Sequence, residues 1–319
     1  MRVLTDADVA SVLSLPDLLP VVREAFVKQG RGAVERPPRP HFPVGEGDTA
    51  GTALVMPAAI DGAATFATKV VTVHESNPER GLPTVRAQVH LTDAGTGETR
   101  ATMAGDRITN ARTGCIGGLA ARELAADEPV RLGVIGAGAQ ARWQTRAIAA
   151  ATDVERVRLY SPTTGSREAC AADLREEGLD AEAVDAPTDA VSGSSVVVTA
   201  TTATEPVFSG EALDPGALVV AVGAYTGEMC ELDATTIDRA AHVFADVPEE
   251  VAEIGDIRGR LSEEQLVPLS DVFEGRAGRE TDDEVLVVDS VGSAVLDAAA
   301  GEHLLERAEA RDVGTVVDD

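Results

Sequence analysis

The stretch Val130 to Arg142, VRLGVIGAGAQAR, constrains the fold more than any other part of this 319-residue chain. A short apolar run, Leu132, Val134 and Ile135, enters Gly136-Ala137-Gly138-Ala139-Gln140-Ala141, and Trp143 to Ala150 reads as a helix. Strand, G-x-G-x-x-A turn and helix follow in the order that binds a dinucleotide diphosphate. Gly136 permits the tight turn, Gly138 lets the backbone approach the diphosphate, and Ala141 lets helix and strand pack closely. Unpaired N–H groups and the dipole at the helix start favour the anion. Taken alone, the motif also fits an ordinary strand–helix turn.

From Val130 onward, strands and helices alternate, which is the pattern of a parallel sheet. Strands are expected at Arg131–Ile135, Val157–Tyr160, Ala181–Val184, Ser195–Thr199, Leu218–Val222, His242–Ala245 and Val285–Val288. Helices are expected at Ser166–Glu177 and Thr235–Ala240, with Leu261–Phe273 a short helical stretch and Ser293–Ala310 a long helix. The earlier part differs. Leu4 to Lys28 predicts one or two helices, started by Thr5-Asp6-Ala7-Asp8 and stopped at Gly30. Arg36-Pro37-Pro38-Arg39-Pro40 is held extended. Thr52–Met56, Gly62–Val73, Thr84–Asp93 and Thr99–Met103 read as strands of one sheet, the last two joined by a turn at Asp93–Glu98. Asp106–Leu124 has helical spacing, and its Gly117-Gly118 pair permits close packing. The expected class is α/β. A Rossmann dinucleotide-binding domain covers 119–290, and an α+β domain covers 1–118 and is completed by 291–319.

The net charge is −27, and only two of the 27 cationic side chains are lysines, Lys28 and Lys69. An acid-rich, lysine-poor surface suits high salt, where counterions screen the self-repulsion. The same charge argues against nucleic acid and anionic membranes as partners. Cys115, Cys170 and Cys230 are odd in number and far apart, which fits neither a disulfide framework nor a metal site. No apolar run reaches membrane-span length, and the N-terminus lacks a basic-then-apolar leader pattern, so a cytoplasmic protein is expected, and the charge makes the expected cytosol a halophilic one.

NAD-preferring folds place an acid at the end of the second strand, on the ribose 2′-OH. Here that strand runs into Ser161-Pro162-Thr163-Thr164-Gly165-Ser166-Arg167. The hydroxyls of Ser161 and Thr163 and the cation of Arg167 suit a 2′-phosphate, so NADP(H) is preferred and NAD(H) remains possible. The alternative leaves Arg167 in solvent. Lys69 sits inside an apolar strand of a chain almost without lysine. A buried ammonium needs an anion or chemistry to offset its desolvation, unless its head group snorkels to water. Arg112 and Arg39 add two cations, either of which could be a surface ion pair; together the three would trap a carboxylate.

With these residues the chain resembles the ornithine cyclodeaminase/μ-crystallin family, which includes archaeal alanine dehydrogenases and ketimine reductases. The resemblance rests on Arg36–Pro40, Leu54–Pro57, the Lys69 strand, Gly81–Thr84, Thr109–Gly114, Gly136–Gln140, Val198–Thr202, Gly223-Ala224, Glu231–Asp233 and Asp289–Gly292. It implies that the first domain binds substrate and makes a homodimer through a shared β-barrel. It implies that Arg39, Lys69 and Arg112 surround the substrate carboxylate. Thr113, Gly136, Gly138, Ala139 and Gln140 would hold the diphosphate, Thr199, Ala200 and Thr201 the ribose and nicotinamide side, and Ser290 to Gly292 the nicotinamide edge.

Cyclodeaminases and alanine dehydrogenases of the family carry an aspartate where this chain has Tyr225, and a lysine where it has Met229. Cyclodeaminases also carry an acid near Leu54 and Val55. Without these carboxylates the pattern resembles the branch that reduces cyclic imines such as pyrroline-2-carboxylate. Tyr225 would shape the pocket or donate a hydrogen bond, and Glu228 or water would move the proton. The expected function is an NAD(P)H-dependent reductase of a small, carboxylate-bearing 2-imino acid. The alternatives are an alanine dehydrogenase, an ornithine cyclodeaminase, or a non-catalytic NADP(H)-binding protein.

Overall fold

The structure, a computed structural model, describes residues 1–126 and 129–317. Contacts divide the chain into two compact units, Met1–Arg112 with the segment from Ser293 onward, and Thr113–Gly292. The first junction, Arg112/Thr113, falls within one helix, and the second, Gly292/Ser293, falls in a loop.

The first unit opens with β1 (Arg2–Leu4), α1 (Asp6–Val12), α2 (Leu15–Gly30), β2 (Val34–Glu35) and β3 (His41–Val44). The Thr5 and Asp8 side chains cap α1 reciprocally, which is the start signal seen in the sequence. Leu4 is in a strand rather than a helix, paired beside the later strand at Thr99–Ala104. Then come β4 (Gly51–Ile60), β5 (Thr65–Val73), β6 (Val85–Asp93), β7 (Thr99–Ala104) and α3 (Asp106–Leu124). β4 to β7 form an antiparallel meander at the centre of an eight-stranded sheet. β5 alternates strictly: Thr65, Ala67, Lys69 and Val71 are buried, while Phe66 and Val70 face out.

The second unit holds β8 (Val130–Ile135), α4 (Ala139–Ala151), β9 (Val154–Tyr160), α5 (Thr164–Glu176), β10 (Ala181–Ala183), α6 (Pro187–Val191), β11 (Val196–Thr199) and β12 (Leu218–Ala221). It continues with α7 (Ala234–Arg239), β13 (Ala240–Ala245), α8 (Pro248–Val251), β14 (Val267–Pro268), α9 (Leu269–Phe273) and β15 (Val285–Asp289). The sheet is fully parallel, in the order β10-β9-β8-β11-β12-β15-β13-β14. Its direction of winding reverses between β8 and β11, where doubly wound sheets bind ligands. β11, β12 and β15 are buried throughout, as strands covered on both faces must be. Only part of the stretch expected as helical after Leu261 is so. A 3₁₀ turn at Glu263–Gln265 leads into β14, and Pro268 lets the helix begin only at Leu269.

The chain ends in the first unit with α10 (Ala294–Ala310) and β16 (Thr315–Val316), the latter pairing with β1. Among the described residues no helix is long and apolar enough to cross a membrane.

Candidate functional site

In the second unit the glycine turn stands where the sequence motif requires it. Gly136 has φ of +120°, and a Cβ there would lie 2.4 Å from the Ala200 carbonyl oxygen. Gly138 is the N-cap of α4, without a side-chain cap, and nothing lies within 4 Å of where its Cβ would be. Ala139 and Gln140 open the helix. The first N–H groups of α4 are thus uncapped beneath open space, a cradle that fits a diphosphate. Arg142 braces the turn, donating to the Ala137 carbonyl (2.6 Å) and to Asp173 (2.7 Å). Thr113 is buried, and its carbonyl accepts from the Gln144 side chain at 2.9 Å. Here α3 comes close to α4: a Cβ on Gly114 would lie 2.6 Å from the Trp143 carbonyl oxygen.

The end of β9 carries the residues expected to choose between cofactors. Arg167 is 8% exposed, donates to the Ser161 carbonyl at 3.1 Å, and stacks over Tyr160. It also pairs with Asp185 at 2.5 Å, so it is anchored rather than solvated. Thr163 is the exposed N-cap of α5, its hydroxyl not used as a cap.

Glu231 organises the loops that follow β11 and β12. It is wholly buried and accepts four hydrogen bonds: from Thr199 Oγ1 (3.0 Å), Thr201 N (2.7 Å), Thr201 Oγ1 (2.8 Å) and Gly223 N (2.8 Å). The hydroxyls of Thr199 and Thr201 are therefore committed inward, and Ala200 lies between them. Burial pushes the Glu231 carboxyl up to about 7 despite these donors. Asp256 accepts from the N–H groups of Glu231 (2.6 Å) and Leu232 (2.7 Å). Asp246 accepts from Ser290 Oγ (2.6 Å), Val291 N (3.1 Å) and Gly292 N (2.8 Å), shaping the loop after β15. Tyr225 is half-buried on the loop after β12, against the core of this unit.

Asp289, the last residue of β15, is wholly buried, and neither of its oxygens has a hydrogen-bond partner. Burial, with Asp256, Glu231 and Asp246 nearby, raises its carboxyl well above the ordinary range. Its neutral form is therefore favoured on folding. That contribution is complete below the unfolded value near 3.8 and is lost as pH rises toward the folded value. Asp289→Asn is expected to raise the melting temperature at pH 8 relative to the parent, and to leave it equal or lower at pH 4. Melting curves across this range check it.

In the first unit, β5 aims Lys69 inward and α10 meets it with Asp297. Lys69 is 1% exposed, and its Nζ donates to Asp297 Oδ2 at 2.6 Å. Arg112, 4% exposed on α3, donates from Nε to Asp297 Oδ1 at 2.9 Å. Arg112 Nη1 is buried without a partner. Burial pushes the Lys69 ammonium down to about 8, against the pull of Asp297 and with a further push from Arg112 and Arg39. Although burial opposes it, Arg112 and Lys69 hold the Asp297 carboxyl below its ordinary range. Arg39 is half-buried in the proline-held segment before β3. Two of the three expected cations, Lys69 and Arg112, thus meet on a carboxylate the cation pattern does not reveal, and Arg39 bears on Lys69 through its charge. The available signal was an acid within the apolar run Ala294-Val295-Leu296-Asp297-Ala298. Cys115 is buried, and burial pushes its thiol up to about 12, which removes a thiolate from consideration.

Residues 1–312 match the model of the ornithine cyclodeaminase/mu-crystallin family. The chain is 36% identical over 276 residues to a Delta(1)-pyrroline-2-carboxylate reductase of Bacillus cereus, covering 84% of this chain and 85% of that one. It superimposes on the Thermococcus litoralis Delta(1)-pyrroline-2-carboxylate reductase, solved with NADH and L-proline, with a TM-score of 0.94 and 30% identity over 99% of this chain and 100% of that one. An archaeal alanine dehydrogenase dimer with bound NAD gives a TM-score of 0.91 at 28% identity, over 100% of this chain and 99% of that one. The chain belongs to the ornithine cyclodeaminase/mu-crystallin family.

Proposed function

We propose that this protein is a ketimine reductase that reduces the C=N bond of a small, carboxylate-bearing 2-imino acid, with pyrroline-2-carboxylate as the leading substrate. The observation that carries the reading is the buried Lys69–Asp297–Arg112 cluster, a titratable ammonium beside an arginine donor left open. Arg112, with Arg39, binds the substrate carboxylate, which supplies the partner that Nη1 lacks. Lys69 presents a proton to the imine nitrogen, and an amine near pKa 8 exchanges that proton readily at neutral pH. A nicotinamide dinucleotide, held by the α4 N-terminus and the Gly136–Gln140 turn, supplies the hydride. Fixed charges of this kind act without reorganising during reaction.

Tyr225, in place of the family's aspartate, leaves out the carboxylate that grips an amine, which disfavours cyclodeaminase chemistry. Retention of a desolvated lysine disfavours a non-catalytic carrier. The purified protein, assayed in high salt, is expected to oxidise NADPH with pyrroline-2-carboxylate. No oxidation with that substrate, piperideine-2-carboxylate, or pyruvate plus amines overturns the reading. Alanine-dependent NAD reduction would instead identify an alanine dehydrogenase, and ammonia release from ornithine a cyclodeaminase.

Arg167, with Ser161 and Thr163, supports a preference for NADPH, because its present partner Asp185 is 94% exposed and can yield to a 2′-phosphate. Arg167→Ala is expected to weaken NADPH binding about tenfold, the worth of one charge-assisted contact, and to leave NADH unchanged. Fluorescence titration with both cofactors checks it. Among the described residues every large apolar side chain that is exposed belongs to the first unit, including Phe42, Phe66, Val70, Leu82 and Val85. In a chain of charge −27 that concentration supports a homodimer through this sheet.

A further inference from the structure

We infer that Asp297 is a positioning residue for catalysis: from the first turn of α10 it fixes the direction of Lys69 and Arg112 and keeps the lysine charged. The inference rests on the reductase reading only for its kinetic arm. α10 is N-capped by Ser293, whose side chain accepts from Val295 N and donates to Gln29 at 2.7 Å, so the helix start is pinned to α2. Asp297 therefore stands at a set depth. Each of its oxygens takes a different cation, Oδ2 the lysine and Oδ1 the Nε edge of the arginine. Arg112 is then held by its Nε, with Nη1 buried and unpaired. Lys69 has two further donors beyond the one it gives to Asp297.

A buried ion cluster of this kind is no more stable than well-packed apolar side chains of similar volume, so stability alone does not explain it. Its charge balance does. The groups that bear on Lys69 are Asp297 on α10, Arg112 on α3 and Arg39 before β3. Burial and both arginines favour the neutral amine, and Asp297 alone opposes them. Without Asp297 only influences that favour the neutral amine would act on Lys69, and its proton would be held less firmly.

The chain's scarcity of lysine makes the test direct. Protein carrying lysine labelled with ¹³C at Cε gives two side-chain signals, from Lys28 and Lys69, and Lys28→Arg assigns them. Asp297→Asn is expected to move the Lys69 titration midpoint down by more than one pH unit from about 8 and to leave Lys28 unmoved. The alkaline limb of kcat should move with it, while KM changes less. Asp297→Glu, which keeps the charge, should leave both midpoint and limb within about half a unit of the parent while lowering kcat. Circular dichroism and a parental melting transition report that each variant is folded. An unmoved Lys69 midpoint in Asp297→Asn, or a downward shift as large in Asp297→Glu, overturns the inference. If Asp297→Asn does not fold, the Glu variant decides alone. The titration needs no turnover, so failure of the reductase reading would leave its outcome interpretable.

Discussion

Lys69→Ala is expected to lower imine turnover about a thousandfold, within the range that loss of a positioned general acid costs, and to leave NADPH affinity within about twofold. Lys69 is the cluster's one group able to give and regain a proton near neutrality, since burial holds it at about 8 while an arginine stays charged. Alanine removes that proton and leaves Asp297 on Arg112 alone. Breaking a buried pair outright costs about 3–5 kcal/mol; the surviving Arg112 contact keeps the loss below that. The Gly136–Gln140 turn belongs to the other unit, so cofactor affinity should be retained, and a melting curve separates lost chemistry from lost folding of the first unit. In the parent, kcat should fall as pH rises through about 8, because the protonated form of Lys69 declines above it. Steady-state kinetics with a folded variant that retains turnover would remove Lys69 from the mechanism.

Glu231→Ala has the second large effect, on the cofactor rather than the chemistry. One carboxylate gathers Thr199, Thr201 and Gly223, at the ends of β11 and β12, the two strands that follow β8 in the sheet on the side of the glycine turn's Ala200 neighbour. Removing it leaves four donors unpaired in a buried place, at about 1–3 kcal/mol each before water or rearrangement offsets part. The expected results are a fall of several degrees in the melting temperature and dinucleotide affinity weakened by about a hundredfold. Glu231→Gln should be intermediate, because an amide can accept from some of these donors but turns two of its own against the others. Calorimetry and NADPH titration measure both. An alanine variant with parental affinity would show that these loops hold their shape without the carboxylate.

The cofactor domain is largely legible in the sequence because its determinants are local. A strand needs β-branched apolar residues, the turn needs Gly136 with its positive φ, and the helix after it needs Ala141; all lie within a dozen residues. The small strands β1, β2, β3 and β16 are not legible, since two to four residues carry no period and exist only because a neighbour pairs with them. The helical reading after Leu261 failed at Pro268 for the opposite reason, a local veto outweighing apolar spacing.

The site divides in the same way. By itself the sequence determined which cations are present, and the oddity of Lys69 in a chain of two lysines identified a buried charge that needs a partner. Only the tertiary structure supplied its counterion. Lys69, Arg112 and Asp297 are separated by 43 to 228 residues along the chain, and Asp297 stands in an apolar run of α10. Likewise Glu231 is one acid among 54 acidic side chains until folding places four donors around it. Charge type is written in the residue; which charges meet, and in what dielectric, is decided by packing between distant segments.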